Sequence, residues 1–155
     1  MTRSHHARST EGQSLVEFAL AFPIFLLLLF GLIDIGRFVY TANAVSQAAR
    51  EGARYGSVGD WSASCGGSRQ SCVIQETIDR LAGVTVKPSD VKVTCWRHLM
   101  SDPSKPVSSV PMSDCGANDV LKVELKSQFQ VLTPMIGQIL GPTDISGASS
   151  VTVNQ

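Results

Sequence analysis

Residues 15–33, LVEFALAFPIFLLLLFGLI, form an almost unbroken apolar run in which Glu17 is the only charge. The run is about as long as the roughly 20 residues a helix needs to cross a bilayer. It is too apolar around its circumference to be a surface helix, and the hundred or so residues that follow could hardly wrap it as a core helix. A cleaved signal peptide is the rival reading, because Arg3 and Arg8 precede the run. Against it, the run exceeds the about 7–15 apolar residues of a signal core, and the following IDIGRFVY lacks a small-x-small cleavage site. The pattern therefore predicts a retained membrane helix.

The helical pattern outlasts the run. Between Ser14 and Tyr55 the only proline is Pro23, and TANAVSQAAREGARYG is rich in alanine, the best helix former. Residues 14–55 would reach roughly 63 Å, about twice the hydrocarbon thickness, so half of the helix must project from the bilayer. On that half Ala44, Ala48, Gly52 and Gly56 recur every fourth residue, a stripe of small side chains that lets another backbone come close. Arg50, Glu51 and Arg54 fall on other faces. The stripe fits packing against the chain's own sheet and packing against other subunits equally well.

After Gly56 the pattern changes. GSVGDWSASCGGSRQSC reads as a loop, and VIQETIDRLAGV as a short helix with Val73, Ile74, Ile78 and Leu81 on one face and Gly83 as its stop. DVKVTCW, DVLKVELKSQFQV and ISGASSVTVN read as strands, with the Pro-rich SDPSKPVSSVPMSDCG as a loop between the first two. The expected fold class is α+β: a long N-terminal transmembrane helix followed by a small antiparallel sheet carrying one short helix. Three regions follow, a basic leader (1–12), the membrane-spanning and projecting helix (13–56) and an α+β domain (57–155).

Charge and cysteine usage refine this outline. The 155 residues carry a formal net charge of zero, which supplies no attraction for nucleic acid. Arg3 and Arg8 on one flank of the run balance Arg37 and Arg50 on the other, so basic residues leave the orientation tied. Cys65, Cys72, Cys95 and Cys115 all follow the run, and an even number confined to one side fits disulfides in an oxidising compartment. The expected orientation is thus a cytoplasmic N-terminus and an extracytoplasmic C-terminal domain. Of the three pairings, Cys65–Cys72 closes a short local loop and Cys95–Cys115 brackets the Pro-rich excursion, so these two bridges are expected.

Candidate catalytic chemistry is sparse. His5 and His6 precede the run, leaving His98 near Cys95 without a second ligand pair to complete a metal site. There is no Cys-x-x-Cys, phosphate-binding glycine loop or nucleophile elbow. Glu76, Asp79, Arg80, Asp90 and Lys92 read as a solvated face. Neither an enzyme, a cofactor nor a metal site is expected. What remains is Glu17, since a carboxylate drawn into hydrocarbon costs a few kcal/mol unless a cation meets it. Cleavage after Gly12 would create an ammonium at Gln13, one helical turn from Glu17. The alternative is a Glu17 that snorkels to the interface with nothing cut.

Residues 12–56 resemble the signature of the TadE-like proteins, minor pilins or pseudopilins of bacterial tight-adherence (Tad) pili. Val16-Glu17-Phe18, Pro23, Gly31, Gly36-Arg37 and Ala49-Arg50-Glu51-Gly52-Ala53-Arg54 carry the resemblance. It implies a type IV pilin-like subunit whose leader is removed by a prepilin peptidase between Gly12 and Gln13. Glu17 would pair with the amino terminus of a neighbouring subunit. The partners implied are the membrane, other pilin subunits and the Tad assembly machinery. About a hundred residues beyond the helix suit a minor subunit that enters or primes the fimbria for adherence. A membrane-tethered extracytoplasmic binding module that enters no filament is the second expectation.

Overall fold

A computed structural model describes residues 11–58, 65–99, 102–133, 137–138 and 141–154. The basic tract with Arg3, Arg8, His5 and His6 lies outside the described residues, as does the side chain of His98. One helix, α1 (Glu11–Val58), runs unbroken through Pro23 and on to the end of the alanine-rich segment. It starts slightly before and ends slightly after the expected bounds. A proline removes one internal hydrogen bond, which a helix this long absorbs.

The rest is an α+β unit built on the distal half of α1. Helix α2 (Arg69–Asp79) is followed by four strands, β1 (Val91–Leu99), β2 (Asp102–Val110), β3 (Val120–Phe129) and β4 (Thr143–Thr152). They form one antiparallel sheet in the order β2-β1-β3-β4. In β3, the central partner of β1 and β4, Leu121, Val123, Leu125, Ser127 and Phe129 point inward in strict alternation. Their face meets Val45, Ala48, Ala49 and Ala53 of α1 and Val73 of α2, which make one core with Val93 and Val153.

The Pro-rich stretch is a loop only from Pro111 to Gly116, because its first part is β2, which pairs antiparallel with β1 from Cys95 opposite Val110 to Leu99 opposite Asp102, with register shifts on either side of His98. Pro103 and Pro106 are compatible with this because β2 is an edge strand, where a missing N–H leaves no ladder bond broken, and irregular pairing absorbs the rest. The short helix also begins earlier and ends earlier than its apolar spacing predicts. Ser68 caps it, its hydroxyl accepting from the Ser71 N–H at 3.2 Å, and the helix ends at Asp79 with Arg80, still helical in its backbone, as the C-cap. A tighter bond from the Leu81 N–H to the Ile78 carbonyl (3.0 Å) closes that end, before Gly83 turns the chain at a φ of 73°.

The sulfurs of Cys65 and Cys72, and of Cys95 and Cys115, are joined, with Cα separations of 4.9 and 5.9 Å. Cys95–Cys115 ties β1 to the segment that follows β2, and both its cysteines are buried.

Candidate functional site

The long helix has two unlike halves. Among the described residues, none from 12 to 33 is buried, and large apolar side chains such as Leu15, Phe18, Leu20 and Leu28 are each more than three-fifths exposed. The most apolar 18-residue window is only 6 % buried, so this is not the core helix of a soluble fold. Gly12, Gln13 and Glu17 lie together at its start. Gln13 and Glu17, four apart, share one face. A Cβ at Gly12 would meet nothing within 4 Å, and among the described residues no cation pairs with Glu17.

The distal half is held by the chain's own domain. Ala48, Gly52 and Gly56 are buried and Ala44 is half-buried. A Cβ at Gly52 would overlap the hydroxyl of Thr77 on α2, and one at Gly56 would overlap Leu121 of β3 and come within 2.9 Å of Val73. Across the same surface Gly147 of β4 sits so near that its Cβ would lie 3.0 Å from the Val45 carbonyl group. Ala48, Gly52 and Gly56 of the small-residue stripe are therefore taken up by the chain's own α2 and sheet, one of the two uses its spacing allowed. Arg50 and Arg54 face solvent on the opposite side, with Arg54 3.3 Å from Glu51.

The boundary between the halves is Asp34, the first buried side chain along α1 among the described residues. Its carboxylate accepts hydrogen bonds from the Leu132 N–H (2.9 Å), the Thr133 N–H (2.9 Å) and the Thr133 hydroxyl (2.6 Å), all beyond the end of β3. Arg37, one turn on, stands 3.4 Å away and lies over the Phe129 ring, which Phe38 meets edge-on. Further along, the Tyr40 hydroxyl donates to the Ala82 carbonyl at 2.8 Å. Together these contacts fix where the domain stops and the bare helix starts.

A second polar cluster pins the other end. Arg69 donates to the Gly56 carbonyl (2.6 Å) and the Cys115 carbonyl (2.6 Å), joining the end of α1 to the disulfide loop. Asp119 accepts from the Gly116 N–H (2.9 Å) and from Arg97 (3.3 Å). Burial is the largest single influence on Asp119 and raises its pKa, but these donors and the charges of Arg97 and Arg69 together hold it below the usual carboxylate range. The Asp119 carboxylate, Cys95 and Cys115 come within 4.8 Å of one another, yet the two sulfurs are bonded to each other and the carboxylate faces Arg97. Of the residues read as a solvated face, Asp79, Arg80, Asp90 and Lys92 are exposed and Glu76 is half-buried, with Arg80 and Glu76 paired at 2.7 Å.

Sequence reasoning passed over Asp34, Arg69 and Asp119. A signal for Asp34 was present, since it is the charge immediately after the apolar run and Arg37 follows one turn later. Its partners 98 and 99 residues on left no trace in local pattern.

The bare half and the seated half of α1 together coincide with a known signature. Residues 12–54 match the family model described as TadE-like protein. The chain carries a TadE-like helix. No curated protein and no solved structure matches it significantly. The TadE-like segment ends close to where α1 leaves the sheet, so the family match covers the bare helix and its seat but not the domain that occupies the seat. Its exposed apolar surface and the match together point to a membrane helix of the TadE-like kind.

Proposed function

We propose that the chain is a minor pilin or pseudopilin of a Tad-type pilus, held in the membrane by α1 with its N-terminus cytoplasmic and its α+β domain outside, and assembled into the fimbria or priming it for adherence. The observation that carries this reading is the division of α1 at Asp34. The domain covers the helix only beyond that point and leaves residues 12–33 bare, apolar and marked by a single carboxylate. A bare apolar helix suits two environments in turn, the lipid before assembly and a bundle of like helices afterwards. In such a bundle Glu17 would meet the amino terminus of a neighbour, made at Gln13 by cleavage after Gly12, and both charges would be neutralised as the helices pack. The role is structural, its partners being the prepilin peptidase, other pilin subunits and the assembly machinery.

The test is Glu17→Ala in cells that build the pilus. Insertion should persist or improve, because a costly carboxylate has left the apolar run, while recovery of the protein in sheared pili should fall. Normal piliation with normal levels of the variant in pili would refute the pairing. A membrane-tethered binding module is the alternative, favoured by the burial of Ala48, Gly52 and Gly56 against the chain's own domain and not on a face open to other subunits. It requires that the protein stay in the membrane fraction and never appear in sheared pili.

A further inference from the structure

Outside α1, Leu132 is the single large apolar side chain left exposed among the described residues, at 58 %. Its position is set by its own backbone, since its N–H donates to the Asp34 carboxylate at 2.9 Å. Asp34 is the residue directly after the apolar run. The run of residues 15–33 spans about 28 Å as a helix, close to the roughly 30 Å of hydrocarbon, which places Asp34 at the boundary with the headgroup layer. Leu132, whose backbone N–H is held on both oxygens of the Asp34 carboxylate, therefore lies beside that boundary. Phe38, 43 % exposed, is one turn further out, and Arg37 beside it carries a positive charge at the level of lipid phosphates. Aromatic residues and cations of this kind are what the interfacial layer favours.

We propose that Leu132 and Phe38 form a membrane-surface contact: the start of the β3–β4 connection rests in the interfacial layer of the bilayer, so the domain rides on the membrane instead of swinging free above it. This rests on the reading that residues 15–33 cross a bilayer. It adds a second contact to the helix, one that Asp34 holds at a fixed depth and that must be released when a subunit leaves the membrane. The surface is continuous with the lipid-facing side of α1, and the occupant is lipid, not a second copy of the chain.

The test uses the full chain in phosphatidylethanolamine–phosphatidylglycerol vesicles, in a Trp61→Phe, Trp96→Phe background. One reporter at a time is introduced: Leu132→Trp, Phe38→Trp, Leu28→Trp within the run, and Gln75→Trp on the exposed side of α2. Quenching is read with lipids carrying a doxyl group near the headgroup or near the end of the acyl chain. Leu28→Trp should be quenched by the deep label and Gln75→Trp by neither. Leu132→Trp and Phe38→Trp should be quenched by the shallow label in preference to the deep one, with blue-shifted emission. If Leu132→Trp behaves as Gln75→Trp while Leu28→Trp and Phe38→Trp are quenched, the surface contact is overturned and the membrane helix stands. If Leu28→Trp itself escapes quenching, the membrane reading fails and the contact fails with it. Gln130→Trp, exposed in the same connection, keeps the test decisive should Leu132→Trp disturb the turn.

Discussion

Replacing Gly52 by alanine tests whether the small-residue stripe is the seat of the chain's own domain. The new Cβ would overlap the Thr77 hydroxyl and stand 3.1 Å from Thr77 Cβ. Thr77 has little room to yield. It is fully buried, β-branched, and its hydroxyl donates to the Val73 carbonyl at 2.6 Å, so turning away breaks that bond. Overpacking a filled core costs about 1–3 kcal/mol, and a lost hydroxyl bond about 1 kcal/mol. Alanine in place of glycine returns about 1 kcal/mol of helix propensity. The net expectation is a loss of about 1–3 kcal/mol. Gly36, on the same helix, provides the control, because a Cβ there would meet nothing within 4 Å. Guanidinium unfolding of the detergent-solubilised chain, followed by tryptophan fluorescence, should show a lower midpoint for Gly52→Ala and an unchanged or higher one for Gly36→Ala. In a Thr77→Ala background the cost of Gly52→Ala should shrink, as coupled neighbours require. A Gly52→Ala protein as stable as the Gly36→Ala protein would refute the intramolecular seat and return the stripe to contacts between subunits.

Non-reducing peptide mapping should recover Cys65 joined to Cys72 and Cys95 joined to Cys115; free thiols at all four positions would remove the argument for an oxidising compartment. By the loop-entropy model, removing Cys95–Cys115, with a separation of 20 residues, should cost about 3 kcal/mol in the same unfolding assay, and removing Cys65–Cys72 about 2 kcal/mol. Asp119 has a folded pKa below its unfolded value, so its contribution to stability is complete above the unfolded value of about 3.9 and is lost as pH falls through the folded one. Stability measured against pH should accordingly drop less steeply below pH ~4 in Asp119→Asn than in the parent, and parallel curves would show that Asp119 is not a source of the acid sensitivity.

The division of the chain was legible wherever one local pattern dominated. The apolar run and the alanines after it marked α1, and the alternation of Leu121, Val123 and Leu125 marked β3. Strand β2 was hidden by Pro103 and Pro106, which read as loop signals because local pattern does not say whether a strand lies at an edge. The first turn of α2 was hidden by the polar RQS that follows Ser68; the cap was there, but the apolar face begins only at Cys72. The stripe of Ala44, Ala48, Gly52 and Gly56 was visible as a close-packing surface, whereas its partner was not, since the same four positions could receive α2 and β3 or another subunit's helix. Asp34 was missed for a different reason. A carboxylate that accepts from Leu132 and Thr133 is a long-range feature, and only the folded chain brings its donors to it.

The mature N-terminus tests the central proposal most directly. Intact-mass and N-terminal peptide analysis of the protein extracted from membranes of cells with an active prepilin peptidase should find a chain that starts at Gln13, with the new ammonium one helical turn from Glu17. A chain that keeps Met1 in those cells would contradict a processed pilin subunit and leave a tethered module in its place.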